Sequence, residues 1–264
     1  MSAHPSHPII NEQEEEAMTF WEHLDVLRSS IIRMLFVVAV TTVVAFFFKD
    51  TLFNIVLAPS KSDFITYKLM GAEPFSLQLV NIGLTEQFMI HLKTACYFGV
   101  IIAAPFILYL LYQFIRPALY TNERKYTLSV VGSSYLMFIV GTIVDYFIIF
   151  PLTVRFLGTY SVSQDVQNML SLQSYMDTLL MMSLVFGIIF ELPVISWLLT
   201  KFGIIKPQWM KKYRRHAIVA ILIIAAVITP TADIFTLCIV SLPIWVLYEA
   251  SILICAHTQA RTNA

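Results

Sequence analysis

Six uninterrupted apolar runs constrain this chain more than any other feature. They lie at about Ile31–Phe48, Phe88–Tyr112, Thr127–Phe150, Thr178–Thr200, His216–Ile228 and Ile234–Ala256. A run of about 18–25 residues, rising 1.5 Å per residue, crosses a hydrocarbon core of about 30 Å. Lipid offers the backbone no hydrogen bonds, so only helices or closed barrels can span it. A barrel would show alternating segments of about ten residues, whereas these runs are continuous. Composition removes the soluble alternative: 58% of the 264 residues are hydrophobic and 13% charged, about half the charge of a soluble domain. The fold class is therefore all-α, a polytopic membrane protein with six transmembrane helices.

The last two spans read as short. His216–Ile228 is followed by the polar turn Thr229–Asp233, and the next run meets Glu249 after Tyr248. The pair predicts a hairpin whose turn stops below the far membrane face, or a thinned bilayer; the alternative is that flanking residues complete two ordinary spans by snorkelling. The expected organisation is an acidic, flexible tail over 1–18, one membrane domain over 19–256 and a short tail over 257–264. The segments 49–87 and 151–177 are expected to form ordered caps with short helices. The polar start around Glu12, Glu14, Glu15 and Glu16 does not read as a cleavable signal peptide.

Orientation comes from lysine and arginine. With six spans, twelve of the 17 basic residues fall on the side of both termini and five on the other. The positive-inside rule places both termini in the cytoplasm. Net charge is zero, so no global field exists to attract nucleic acid. Cys96, Cys238 and Cys255 stand singly in apolar stretches, without metal-ligand spacing, and are read as structural. No HExxH, GxSxG or P-loop occurs, so neither an enzyme nor a cofactor is expected.

Charges within spans are the informative residues, because one at the bilayer centre costs about 2.5–3.5 kcal/mol on insertion scales. Glu191 sits mid-span in Phe186-Gly187-Ile188-Ile189-Phe190-Glu191-Leu192-Pro193. Pro193 lacks an N–H and frees a carbonyl in the preceding turn. Glu191 either satisfies that broken backbone or offers a polar contact to a partner helix or watery cavity. Asp145 reads as a structural hydrogen bonder and Glu249 as reaching the interface. The loop from Phe114 to Arg124 sets an aromatic and apolar patch beside Glu123, which either makes a structural salt bridge or receives a guanidinium in a bidentate fork. Phe20, Leu24 and Leu27 at helical spacing predict an amphipathic helix in the interface before the first span.

Four segments together resemble one family, TatC, the multispanning receptor subunit of the twin-arginine protein translocase. They are His23–Arg28, Phe114–Arg124, Phe186–Val194 and Ile228–Asp233. The resemblance implies a concave, glove-like wall of helices without catalysis, in the bacterial cytoplasmic (inner) membrane. It implies that twin-arginine signal peptides of folded precursors dock at the cytoplasmic face. TatA-type and TatB-type single-span subunits, and further TatC copies, would then join to export cargo with the proton-motive force. Carried over by position, Glu123 matches the contact to the arginine pair. Phe114, Pro117, Leu119, Tyr120 and Arg124 match the surrounding loop, and Leu27 and Arg28 the N-terminal recognition helix. Glu191, Thr229 and Asp233 match contacts to partner helices. One departure is Val26, where the family usually carries a second glutamate; Asp25 is adjacent, but one residue turns a helix by about 100 degrees. The competing function is a proton-coupled small-molecule secondary transporter using Glu191.

Overall fold

The computed structural model describes residues 20–71, 73–75, 77–115, 127–160, 169–229 and 233–262. The first helix, α1, runs Phe20–Phe46 without interruption. No glycine or proline lies within it, so the expected interfacial helix and first span are one rod rather than two elements. The short helices α2 (Lys49–Val56) and α3 (Ile65–Leu69) follow, then a strand β1 (Gln78–Val80) and the long helix α4 (Glu86–Ile115).

Helix α5 (Thr127–Val144) passes through a π turn, Asp145–Ile149, into α6 (Phe150–Thr159). Pro151 is the reason for an irregularity there: it cannot donate to the carbonyl four residues back. That carbonyl, of Phe147, instead accepts the Thr66 hydroxyl. Tyr67 adds bonds to the carbonyls of Pro59 at 2.9 Å and Pro151 at 3.1 Å. Burial pushes its hydroxyl well above the usual tyrosine range, so it stays a donor.

A second strand, β2 (Met169–Ser171), leads into α7 (Leu172–Ile189), which breaks at Phe190-Glu191 before α8 (Leu192–Lys201). Helices α9 (Pro207–Lys212), α10 (Arg214–Ile228) and α11 (Ile234–Thr262) complete the described chain. Of the last pair, α10 is short at 15 residues, but α11 is not, with 29. It continues past Glu249, a good helix former whose carboxylate meets Arg214 on α10 at 2.5 Å. It also takes up residues 257–262, where the sequence predicts a tail.

Close helix crossings set the frame. Helix α1 packs antiparallel on α4: Thr41 Oγ1 donates to the Gly99 carbonyl at 2.9 Å, and His91 Nε2 lies 3.1 Å from the Phe46 carbonyl. A Cβ on Gly99 would sit 2.8 Å from the Thr42 nitrogen, so only glycine permits this approach. Helix α5 crosses α7 at Gly141 and Gly187, where Cβ atoms would meet the Phe186 carbonyl at 2.6 Å and the Phe138 ring at 2.7 Å. The core gathers around Phe150, Met176, Met182, Phe186, Val240 and Ile244. By contrast, the apolar window of α1 is only 11% buried, leaving most of its surface to lipid.

The caps are tied together by a parallel pairing of β1 with β2, Leu79 opposite Leu170. Glu86, the first residue of α4, holds this junction. One carboxylate oxygen accepts the N–H groups of Ile82 and Gly83 at 3.0 and 2.7 Å. The other accepts Ser171 Oγ at 3.2 Å and the Gln173 N–H at 3.1 Å. The bundle thus has a capped end and an opposite, basic end carrying Arg28, Lys201, Lys206, Lys211, Lys212 and Arg214.

Candidate functional site

Two places follow from the sequence reading, one at the basic end and one inside the bundle. At the basic end, Leu27 is half-buried and Arg28 exposed on α1, and Phe114 is half-buried in the last turn of α4. Counting from the Thr41–Gly99 contact, Leu27 and Phe114 lie about 21 and 22 Å along their antiparallel helices. They therefore reach the same level. Pro117, Leu119, Tyr120, Glu123 and Arg124 lie outside the described residues. Asp25 and Val26 are both exposed on α1.

Inside the bundle, the break at Phe190-Glu191 places a carboxyl group on a groove between α4, α5, α7 and α8. The Glu191 N–H is bonded to the Ile188 carbonyl at 3.1 Å and its carbonyl to the Ile195 N–H at 2.9 Å, so Pro193 is accommodated by a tightened turn. The side chain is only 7% exposed, and among the described residues its Oε1 has no hydrogen-bond partner. Ser134 on α5 lines the same groove as the carboxyl group. Of the two readings, the structure therefore does not support a carboxyl consumed by its own broken backbone. The groove is about 480 Å³ and largely apolar, lined by Ala104, Leu108, Phe138, Ile188 and Leu198 among others.

Tyr112 opens on the same groove, 5% exposed, with its hydroxyl also unpartnered among the described residues. Sequence reasoning missed it, because a tyrosine ending an apolar run looks like an interfacial anchor. It also missed Ser134, which no spacing to Glu191 in the sequence could reveal. Glycines Gly141 and Gly187 were a usable signal, since small residues mark close helix crossings, and this crossing sets Glu191 one turn beyond Gly187.

Several other acidic residues are held by neighbours. Asp145 is fully buried; Ser183 Oγ donates to its Oδ2 at 2.5 Å, the structural hydrogen bond expected, while its Oδ1 has no partner among the described residues. Lys93 and Asp177 join α4 to α7 at 2.6 Å towards the capped end. Asp233 Oδ2 accepts the Thr236 N–H at 2.7 Å and caps α11. Thr229 is 6% exposed, with its hydroxyl donated to the Ala225 carbonyl at 3.0 Å. Its side chain therefore closes α10 rather than projecting from the turn. Among the described residues, no group of three or more His, Cys, Asp or Glu could hold a metal.

Comparison with known proteins bears on this arrangement directly. The family model described as "Sec-independent protein translocase protein (TatC)" matches residues 22–243. A relative of that name from Blattabacterium sp. subsp. Periplaneta americana is 33% identical over 95% of this chain and 99% of its own length. Another, from Desulforapulum autotrophicum, is 36% identical over 91% of the chain and 85% of its own. Among solved structures, "Crystal Structure of Twin Arginine Translocase Receptor- TatC" superimposes with a TM-score of 0.78 at 32% identity, covering 90% of this chain and 100% of that one. The secondary-transporter reading finds no support in these comparisons.

Proposed function

The chain belongs to the TatC family of Sec-independent protein translocases, and on that premise we propose how its two sites work. It is a multi-pass membrane protein, a twin-arginine translocase subunit rather than an enzyme. The basic end faces the bacterial cytoplasm across the inner membrane and receives the N-region of twin-arginine signal peptides. Glu123 binds the arginine pair. Phe114, Pro117, Leu119, Tyr120 and Arg124 frame it, with Leu27 and Arg28 from the adjacent end of α1. Supporting this is the common level of Leu27 and Phe114, which brings the N-terminal helix alongside the last turn of α4.

Glu191 meets a polar group on a TatA-type or TatB-type single-span partner seated in the groove, and further TatC copies complete the assembly that exports folded proteins with the proton-motive force. Thr229 and Asp233 act on partner packing through the turn they hold. The observation that carries this part is a buried carboxyl with one oxygen unpartnered among the described residues, in a largely apolar groove. Leaving such a group unbonded costs about 1–3 kcal/mol, which a partner's donor recovers. The test is site-specific photocross-linking in membranes. A probe at Glu123 should capture a twin-arginine precursor and one at Glu191 a single-span partner. Glu123→Ala should weaken precursor capture at least about tenfold, the loss of a charge-assisted pair, while the protein remains inserted; full capture by that variant removes the assignment.

A further inference from the structure

A second recess, of about 440 Å³, lies on the other side of the α5–α8 contact from Glu191, with Val130 and Val194 lining both. Its chemistry is graded by depth. Ser129 and Lys201 stand at its basic-end mouth, and Met137 and Pro193 line its inner part. Met137 and Pro193 are each eight residues along their helices from the mouth, about 12 Å. That is most of one leaflet, whose half of the hydrocarbon core is about 15 Å. Val130, Val194 and Ile254 make the body apolar. At the mouth, the Lys201 ammonium lies 5.3 Å from the Trp197 ring centroid, a cation held over an aromatic face.

The mouth opens onto a mostly cationic surface, in which Glu249 pairs with Arg214. No acidic residue occurs between Glu191 and Asp233, while Lys201, Lys206, Lys211, Lys212, Arg214 and Arg215 all do. Lys206 and Lys212 repeat the stacking geometry, each 6.0 Å from the ring of Trp209 or Tyr213. Trp209 and Ile204 are more than half exposed beside them, which fits a surface embedded at the headgroup level. An apolar recess of this depth, open beneath a cationic rim, matches one occupant by shape and charge together. We propose that it binds an anionic phospholipid of the leaflet at the basic end, one acyl chain in the recess and its phosphate against Lys201. Trp197 packs where chain meets headgroup.

The test uses the full chain in mild detergent, titrated with phosphatidylglycerol or phosphatidylcholine of identical acyl chains and read by native mass spectrometry. Wild type should retain phosphatidylglycerol about fivefold better, the effect of roughly one lysine near an anionic surface. Lys201→Gln should abolish the preference and Lys201→Arg restore it, while Lys49→Gln, at the capped end, leaves it unchanged. Met137→Trp or Ile254→Trp, filling the recess, should lower retention of both lipids; the thermal transition of each variant verifies that it is folded. Equal retention of the two lipids by wild type, or a preference untouched by Lys201→Gln, overturns the proposal. So does full retention by both filled variants. A cross-linker at Met137 that captures a protein segment, with no lipid retained, also overturns it and assigns the recess to a partner helix.

Discussion

Replacing Glu191 with leucine separates a carboxyl kept for folding from one kept for assembly. In the isolated protein Glu191 is 7% exposed, and one of its oxygens lacks a partner among the described residues. An unsatisfied buried polar atom costs about 1–3 kcal/mol. Leucine removes that cost and fills the same apolar groove. The thermal transition of Glu191→Leu should therefore stay level or rise, by about 2–4 °C for each kcal/mol recovered in a chain of this size. Assembly should move the opposite way. A hydrogen bond between membrane helices averages about 0.6 kcal/mol and reaches about 1.7, so partner association should weaken about 3- to 18-fold. Quantitative co-purification of single-span partners, alongside thermal unfolding of the variant alone, reads both quantities. Precursor capture at Glu123 should change less than partner retention. A variant that unfolds more easily than wild type yet keeps its partners would refute the reasoning and make Glu191 a structural residue.

Three further outcomes follow from particular contacts. Gly99→Ala puts a Cβ 2.8 Å from the Thr42 nitrogen, so α1 must move off α4; destabilisation of about 1–3 kcal/mol should appear in thermal unfolding and as weaker α1–α4 cross-linking. Glu86→Ala strips acceptors from the N–H groups of Ile82, Gly83 and Gln173. At about 1–3 kcal/mol for a group left unpaired, this should expose the caps to added protease well before the spans unfold. Val26→Glu restores a carboxylate on an exposed face of α1 and should tighten binding of a twin-arginine peptide by up to about fivefold, as measured by peptide titration; unchanged affinity means that Asp25 or Glu22 already serves.

Much of the candidate site was legible before any coordinates. Glu191 stood out because a carboxylate in the middle of an apolar run has no cheap explanation, and Pro193 located the break beside it. Asp145 was equally conspicuous, yet its partner Ser183 lies 38 residues away, and no local pattern points to it. Tyr112 and Ser134 escaped notice for the same reason. Each is ordinary in its own helix and becomes significant only beside Glu191. The length of α11 escaped because Glu249 looked like an end, whereas glutamate is a good helix former and its partner Arg214 lies on α10.

What the sequence determined by itself was the set of helices, their approximate ends and the class of protein, because lipid forces each span to satisfy its own backbone. Hydropathy is a local property, so local reading suffices for it. Tertiary structure decided which faces meet: the Gly99 and Gly141 crossings, the β1–β2 tie between caps, and the groove that leaves one oxygen of Glu191 unpartnered. Those depend on contacts between residues far apart in the chain, where sub-ångström differences in helix approach settle whether a polar group is paired or left open. A list of residues carries no such distances.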